Sequence, residues 1–92
     1  MTILHDVYAV IEDRQKNPKP ESYVCKLLAA GIDKSLKKVG EEAGEVIIAA
    51  KNKEKEEVIW EVADLWFHCL VVMHQSGVTV DDVFKKLEER RK

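Results

Sequence analysis

Residues 37–66 read KKVGEEAGEVIIAAKNKEKEEVIWEVADLW, and that stretch decides the fold. It carries two acidic clusters, Glu41, Glu42 and Glu45 (E-E-x-x-E) and then Glu61 and Asp64 (E-x-x-D), each inside a run that otherwise has the character of buried helix. At roughly 100° per residue, Glu41 and Glu45 lie about 40° apart, and Glu42–Glu45 and Glu61–Asp64 about 60° apart, so each cluster projects from one helical face. Fifteen residues separate Glu45 from Glu61. That is room for a short helical run, a tight turn and a run back, which brings the two patches face to face in an antiparallel pair.

Carboxylates taken out of water without a partner carry a heavy desolvation cost, so a cation is expected between the patches. Carboxylates converging without His or Cys make a hard, all-oxygen site that suits Mg²⁺, or Mn²⁺, rather than Zn²⁺. The plainer alternative is a solvated acidic face, with Lys37, Lys38 and Lys51 at helical spacing to pair with Glu41 and Glu42. Against it stand Val46 to Ala50 directly after the first cluster, and Val62, Ala63, Leu65 and Trp66 around the second.

Working outward, Ile3, Leu4, Val7, Val10 and Ile11 are spaced as a first helix over about 3–16, stopped by Asn17-Pro18-Lys19-Pro20. Ser22 caps a short helix through Leu28 and Ala29, Gly31 breaks it, and Asp33 opens the long helix that holds Lys37 to Lys51. Asn52 and Lys53 form the turn, a further long helix runs from about Lys55 to Gln75 and stops at Gly77, and Thr79 with Asp82 caps a last helix through Arg90. Sustained period-two alternation and hairpin turns are absent from the sequence. The expectation is an all-α bundle of four to five helices in one domain over residues 1–92.

The second long helix is apolar almost all round, from Val58, Ile59 and Trp60 to Val72 and Met73. A helix of that kind must be covered on every side, which short neighbours in a 92-residue chain do not achieve. A homodimer completing the bundle is therefore expected. The formal net charge of -2, with both signs mixed, gives no large basic field and argues against general binding to nucleic acid or an anionic membrane. Cys25 and Cys69 lack the spacing of a zinc or redox motif, and no signal peptide or bilayer-spanning run is evident, which fits a cytoplasmic protein.

Several single residues bear on a site. Lys37 and Lys38 precede the first cluster, Lys51 and Asn52 end its helix, and Arg14 and Lys26 lie nearer the N-terminus. Metal together with lysine is a common cradle for a polyphosphate, although solubility and helical pairing explain many lysines equally well. His68, one turn after Asp64, reads either as a satisfied core histidine or as a residue steadying a ligand carboxylate. A di-iron bundle wants Glu three residues before such a His, and Leu65 stands there. Trp60 and Trp66 read as core or interface residues, and Tyr23, at the turn after the prolines, is placed either to pack or to touch a ligand.

The stretch Lys37 to Val46, with Ala49-Ala50-Lys51-Asn52 and Glu61-Val62-Ala63-Asp64-Leu65, resembles the all-α nucleoside triphosphate pyrophosphatases (MazG-like). Ser22-Tyr23 ahead of Lys26-Leu27-Leu28, then Gly31-Ile32-Asp33-Lys34, and His68 narrow the resemblance to the phosphoribosyl-ATP pyrophosphatases, over about Arg14 to Val83. The resemblance implies Mg²⁺-dependent hydrolysis of phosphoribosyl-ATP to phosphoribosyl-AMP and pyrophosphate, the second step of histidine biosynthesis. It implies that Glu42, Glu45, Glu61 and Asp64 hold metal, with Glu41 as a further ligand or the group that orients water. Lys37, Lys38 and Lys51 would then meet the phosphates, Arg14, Tyr23 and Lys26 could reach the ribose phosphate side, and Asn52 would join the substrate-binding residues. Val24 stands where the family commonly has Thr, and Lys53-Glu54 where a Gly-Asp turn is usual. Lacking the zinc domain of the bifunctional enzymes, the chain reads as the stand-alone form. The alternatives are a house-cleaning nucleoside triphosphate pyrophosphohydrolase with the same chemistry, and a non-catalytic helical dimer.

Overall fold

In the computed structural model, which describes residues 1–91, five α-helices follow one another: α1 (Ile3–Lys16), α2 (Tyr23–Ala30), α3 (Ile32–Lys51), α4 (Lys55–Gln75) and α5 (Val80–Arg90). The expected all-α class holds. Each boundary has a local cause. Thr2 and Thr79 cap α1 and α5 through reciprocal side-chain bonds with His5 and Asp82, and the Ser22 side chain accepts from the Cys25 N–H at the start of α2. Helix α3 begins at Ile32, one residue earlier than expected from Asp33, because Gly31 at φ 92° turns the chain directly from α2 into α3. Asp33 instead lies in the first turn, where its charge complements the helix N-terminus.

The two long helices end in the same way. After α4, the Gly77 N–H donates to the His74 carbonyl and the Val78 N–H to that of Met73, with Gly77 at φ 72°. After α3, the Lys53 N–H donates to Ala50 and the Glu54 N–H to Ala49, with Lys53 at φ 58°. Both are Schellman closures, and both require a left-handed residue at the turn. The closure at Lys53 folds α3 and α4 into an antiparallel hairpin, whose helices pack most extensively against each other.

Ile11, Val24, Leu27, Leu70, Val71 and Val80 form the core, flanked by Leu4, Val7, Tyr8, Leu28, Phe67, Met73 and Phe84. This core joins α1, α2, the C-terminal half of α4 and the start of α5, and each fully buried aliphatic side chain in it contributes about 1.5–3 kcal/mol. Tyr8 donates its hydroxyl hydrogen to the Val78 carbonyl at 2.8 Å, tying α1 to the turn before α5. The tip of the α3–α4 hairpin projects beyond this core. There Ile47, Ile48, Ile59 and Trp60 are 55–69% exposed, and Trp66 is 55% exposed further along α4. Trp60 and Trp66 are thus not core residues of the single chain, and α4 is left uncovered on one side. Among the described residues no helix is long and apolar enough to cross a membrane.

Candidate active site

Because α3 and α4 reverse about Lys53, positions equally far from it along the chain face each other. Glu45 and Glu61 each stand eight residues from that apex, and Glu42 and Asp64 each stand eleven. The acidic clusters are therefore level on the two arms. Glu42, Glu61 and Asp64 each offer a carboxylate oxygen, and these atoms lie within 4.8 Å of one another.

Glu42 is only 8% exposed. One of its oxygens lies 3.6 Å from Lys38 Nζ, while the other is buried without a hydrogen-bond partner. Lys38 also pairs with the exposed Glu41 at 3.3 Å. Burial pulls the Lys38 ammonium down, but its bond to Glu41 and the negative charges around it hold its pKa above the usual value. Partial burial pushes the Glu61 carboxyl up, and the crowding of Glu42, Glu45, Asp64 and Glu57 adds to the shift. One lysine does not neutralise this much negative charge. The donor set, all oxygen and with one orphaned buried atom, fits a hard divalent cation.

Glu45 is exposed and lines a cleft of about 130 Å³ with Ile48, Ala49, Asn52, Glu54, Glu57 and Glu61, next to the three-carboxylate cluster. Asn52 thus stands beside the acids. Glu54 and Glu57 are lining residues that the sequence reading passed over, although they precede Glu61 by seven and four positions and so share its face. Lys37 and Lys51 are exposed on α3.

The profile of the phosphoribosyl-ATP pyrophosphohydrolase family matches residues 4–91. The chain belongs to that family. It is 46% identical over 84 residues to the phosphoribosyl-ATP pyrophosphatase of Bacillus cereus strain B4264, covering 91% of this chain and 78% of the relative. With the enzyme of the same name from Geotalea daltonii the identity is 49% over 88 residues, 96% of this chain and 83% of the relative. The histidine biosynthesis bifunctional protein HisIE of Thermoanaerobacter pseudethanolicus is 49% identical over 84 residues, 91% of this chain but 39% of that longer protein.

Elsewhere in this family member, Tyr23 and His68 close one flank of the acidic cluster. The Tyr23 hydroxyl lies 2.8 Å from His68 Nε2, and His68 Nδ1 lies 2.7 Å from the Asp64 backbone oxygen. His68, 4% exposed, is a satisfied core residue. It steadies the Asp64 main chain, not a carboxylate. Burial pushes the Tyr23 phenol up; Lys38 opposes the shift, and Glu42, Asp64 and Glu41 reinforce it, which places the hydroxyl within reach of the cluster's field. Arg14 and Lys26 lie apart from the acids. They line a separate cleft of about 450 Å³ between α1 and α2, with Lys19 and Cys25 among its other walls, and Arg14 is already bonded to Asp13 at 2.9 Å.

Proposed function

We propose that this protein hydrolyses phosphoribosyl-ATP to phosphoribosyl-AMP and pyrophosphate, within histidine biosynthesis. The family match over residues 4–91 carries the reading, and the convergence of Glu42, Glu61 and Asp64 supplies a place for the chemistry. In this reading Glu42, Glu45, Glu61 and Asp64 hold Mg²⁺, with Mn²⁺ as a substitute. The bound ion supplies charge neutralisation and polarises the phosphate oxygens. Lys37, Lys38, Lys51 and Asn52 draw the polyphosphate toward the acidic hairpin, and Lys38 is the best placed, since it already bridges Glu41 and Glu42.

Hydrolysis breaks the phosphoanhydride bond between the α- and β-phosphates. The water oxygen ends on one fragment, its proton passes to a carboxylate of the cluster, and pyrophosphate leaves. Glu41, exposed beside Lys38, is suited to orient that water or to join the ligands. Arg14, Tyr23 and Lys26 are assigned to the ribose phosphate side, with Tyr23 nearest the acids. We further assign the protein to the cytoplasm, as one domain over residues 1–92 that works as a homodimer.

The test is incubation of the purified protein with phosphoribosyl-ATP, with Mg²⁺ and separately with EDTA, following pyrophosphate and the nucleotide product. Mg²⁺-dependent release of phosphoribosyl-AMP and pyrophosphate is expected. Glu45→Ala and Asp64→Ala are expected to abolish turnover while the helical circular dichroism persists. Turnover of noncanonical triphosphates in place of phosphoribosyl-ATP would move the protein to a house-cleaning role, and pyrophosphate release from no nucleotide would remove the enzymatic reading altogether.

A further inference from the structure

The bond between Tyr23 and His68 fixes what Tyr23 can offer a ligand. A neutral imidazole carries one N–H, and a backbone carbonyl only accepts. With His68 Nδ1 2.7 Å from the Asp64 oxygen, the single proton of a neutral ring belongs on Nδ1, which leaves Nε2 as an acceptor. Nε2 lies 2.8 Å from the Tyr23 oxygen, so the phenol donates its single hydrogen to His68. The ring is held by Phe67, stacked at 6.2 Å and 28°, and by the edge of His68 at 5.7 Å, while 45% of the residue remains exposed beside the acidic cluster. Toward solvent Tyr23 therefore presents oxygen lone pairs and no proton. Phosphate oxygens are acceptors as well, and they gain nothing from such a group.

We infer that Tyr23 contacts the sugar of the nucleotide, its oxygen accepting a hydrogen bond from a ribose hydroxyl, and that His68 is the positioning residue that holds it in this acceptor role. The inference rests on the ribonucleotide reading given above and narrows it, moving Tyr23 from the phosphates to the sugar hydroxyls. His68 acts through Tyr23 and touches no substrate.

Two measurements test this. In steady-state assays with inorganic tripolyphosphate as the competing ligand, Tyr23→Phe is expected to raise KM for phosphoribosyl-ATP about 3- to 10-fold, the worth of one hydrogen bond. The tripolyphosphate inhibition constant should stay unchanged, because that probe has phosphates and no sugar. His68→Leu is expected to raise KM at least as much, since it also releases the Asp64 carbonyl, and His68→Gln to restore part of the loss by keeping an acceptor for the Tyr23 hydroxyl. Equal weakening of tripolyphosphate in Tyr23→Phe, or an unchanged KM in that variant, would each overturn the inference. The second measurement is the ¹⁵N spectrum of the His68 ring in the wild-type protein, where the neutral Nδ1–H tautomer is expected, and either the Nε2–H tautomer or a doubly protonated ring would overturn the acceptor role. A wild type that leaves phosphoribosyl-ATP intact would sink the reading of the reaction and the sugar contact with it, whereas an active wild type that fails either measurement would overturn the inference and leave that reading standing.

Discussion

Glu42 is the residue on which the single chain is least satisfied. It is buried, its nearest cation is shared with Glu41, and one of its oxygens has no partner, an arrangement that costs stability until something positive arrives. Glu42→Gln removes that charge at nearly constant volume. In EDTA the variant is expected to melt no lower than the wild type. The rise in Tm that Mg²⁺ gives the wild type should shrink or vanish, and pyrophosphate release should fall by about 100-fold or more, in line with loosening the cation that neutralises developing charge. Thermal melts with and without Mg²⁺, beside an activity assay, check all of this. A full Mg²⁺ shift in Glu42→Gln would remove Glu42 from the ligand set. The spacing of Glu41, Glu42, Glu45, Glu61 and Asp64 made the acidic patch legible from sequence, because helical periodicity decides which side chains share a face. Which carboxylate becomes buried depends on how the neighbouring helices pack on α3, and the Tyr23–His68 bond spans 45 positions. Neither has a local signature.

The turn at Lys53 shows how much a single element end can carry. Gly77 and Lys53 occupy the same left-handed position of the same closure, but only Gly77 does so without strain from a Cβ. Lys53→Gly is therefore expected to stabilise the protein by about 0.5–1 kcal/mol, the left-handed penalty less the backbone entropy of glycine, with activity retained. Chemical denaturation at matched m-value reads this directly, and a lower midpoint would show that the Lys53 side chain makes a compensating contact. At the other end of the molecule, the Asp82 carboxyl is held below the usual range, chiefly by the Thr79 backbone N–H at 2.8 Å and also by its side chain. Because its folded pKa is depressed, the stability it contributes is present above the ordinary carboxylate range and lost as the pH falls through the depressed value. Asp82→Asn should lower Tm at neutral pH, and the gap to the wild type should close on acidification; a pH-independent gap would count against the cap. Helix ends were the most legible features of the chain, since Pro18, Pro20, Gly31, Gly77 and the Thr79–Asp82 box act locally. The one-residue shift at Ile32 and the clefts were not, because they arise where helices far apart in sequence meet.

At the scale of the whole molecule the single chain is too open for its size. Its Cα radius of gyration is 14.2 Å, against about 12 Å expected for a compact domain of 92 residues. Its accessible surface is 6770 Å², whereas a compact 10.5 kDa monomer exposes about 5,400 Å². The excess of about 1,300 Å² is of the order that each partner loses in a large interface, where standard ones take about 800 Å² per side. Ile47, Ile48, Ile59 and Trp60 on the hairpin contribute to it, and Trp66 lines an apolar groove of about 330 Å³ together with Leu70, Met73, Phe84 and Leu87. The apolar run of α4 made this surplus legible in the sequence, whereas the face left bare depended on where α1, α2 and α5 settle. A second copy that packs hairpin against hairpin would cover it. If so, the wild type sediments as a dimer and its Tm rises with protein concentration. Trp60→Glu places a charge in the middle of the bare face and is expected to shift the protein toward monomer, lower Tm and remove its concentration dependence. Trp66 fluorescence in that variant should move to the red of the wild type as the indole meets water. Analytical ultracentrifugation of both proteins decides the matter: a monomeric wild type, or a Trp60→Glu dimer of undiminished stability, would mean that the exposed hairpin serves something other than self-association.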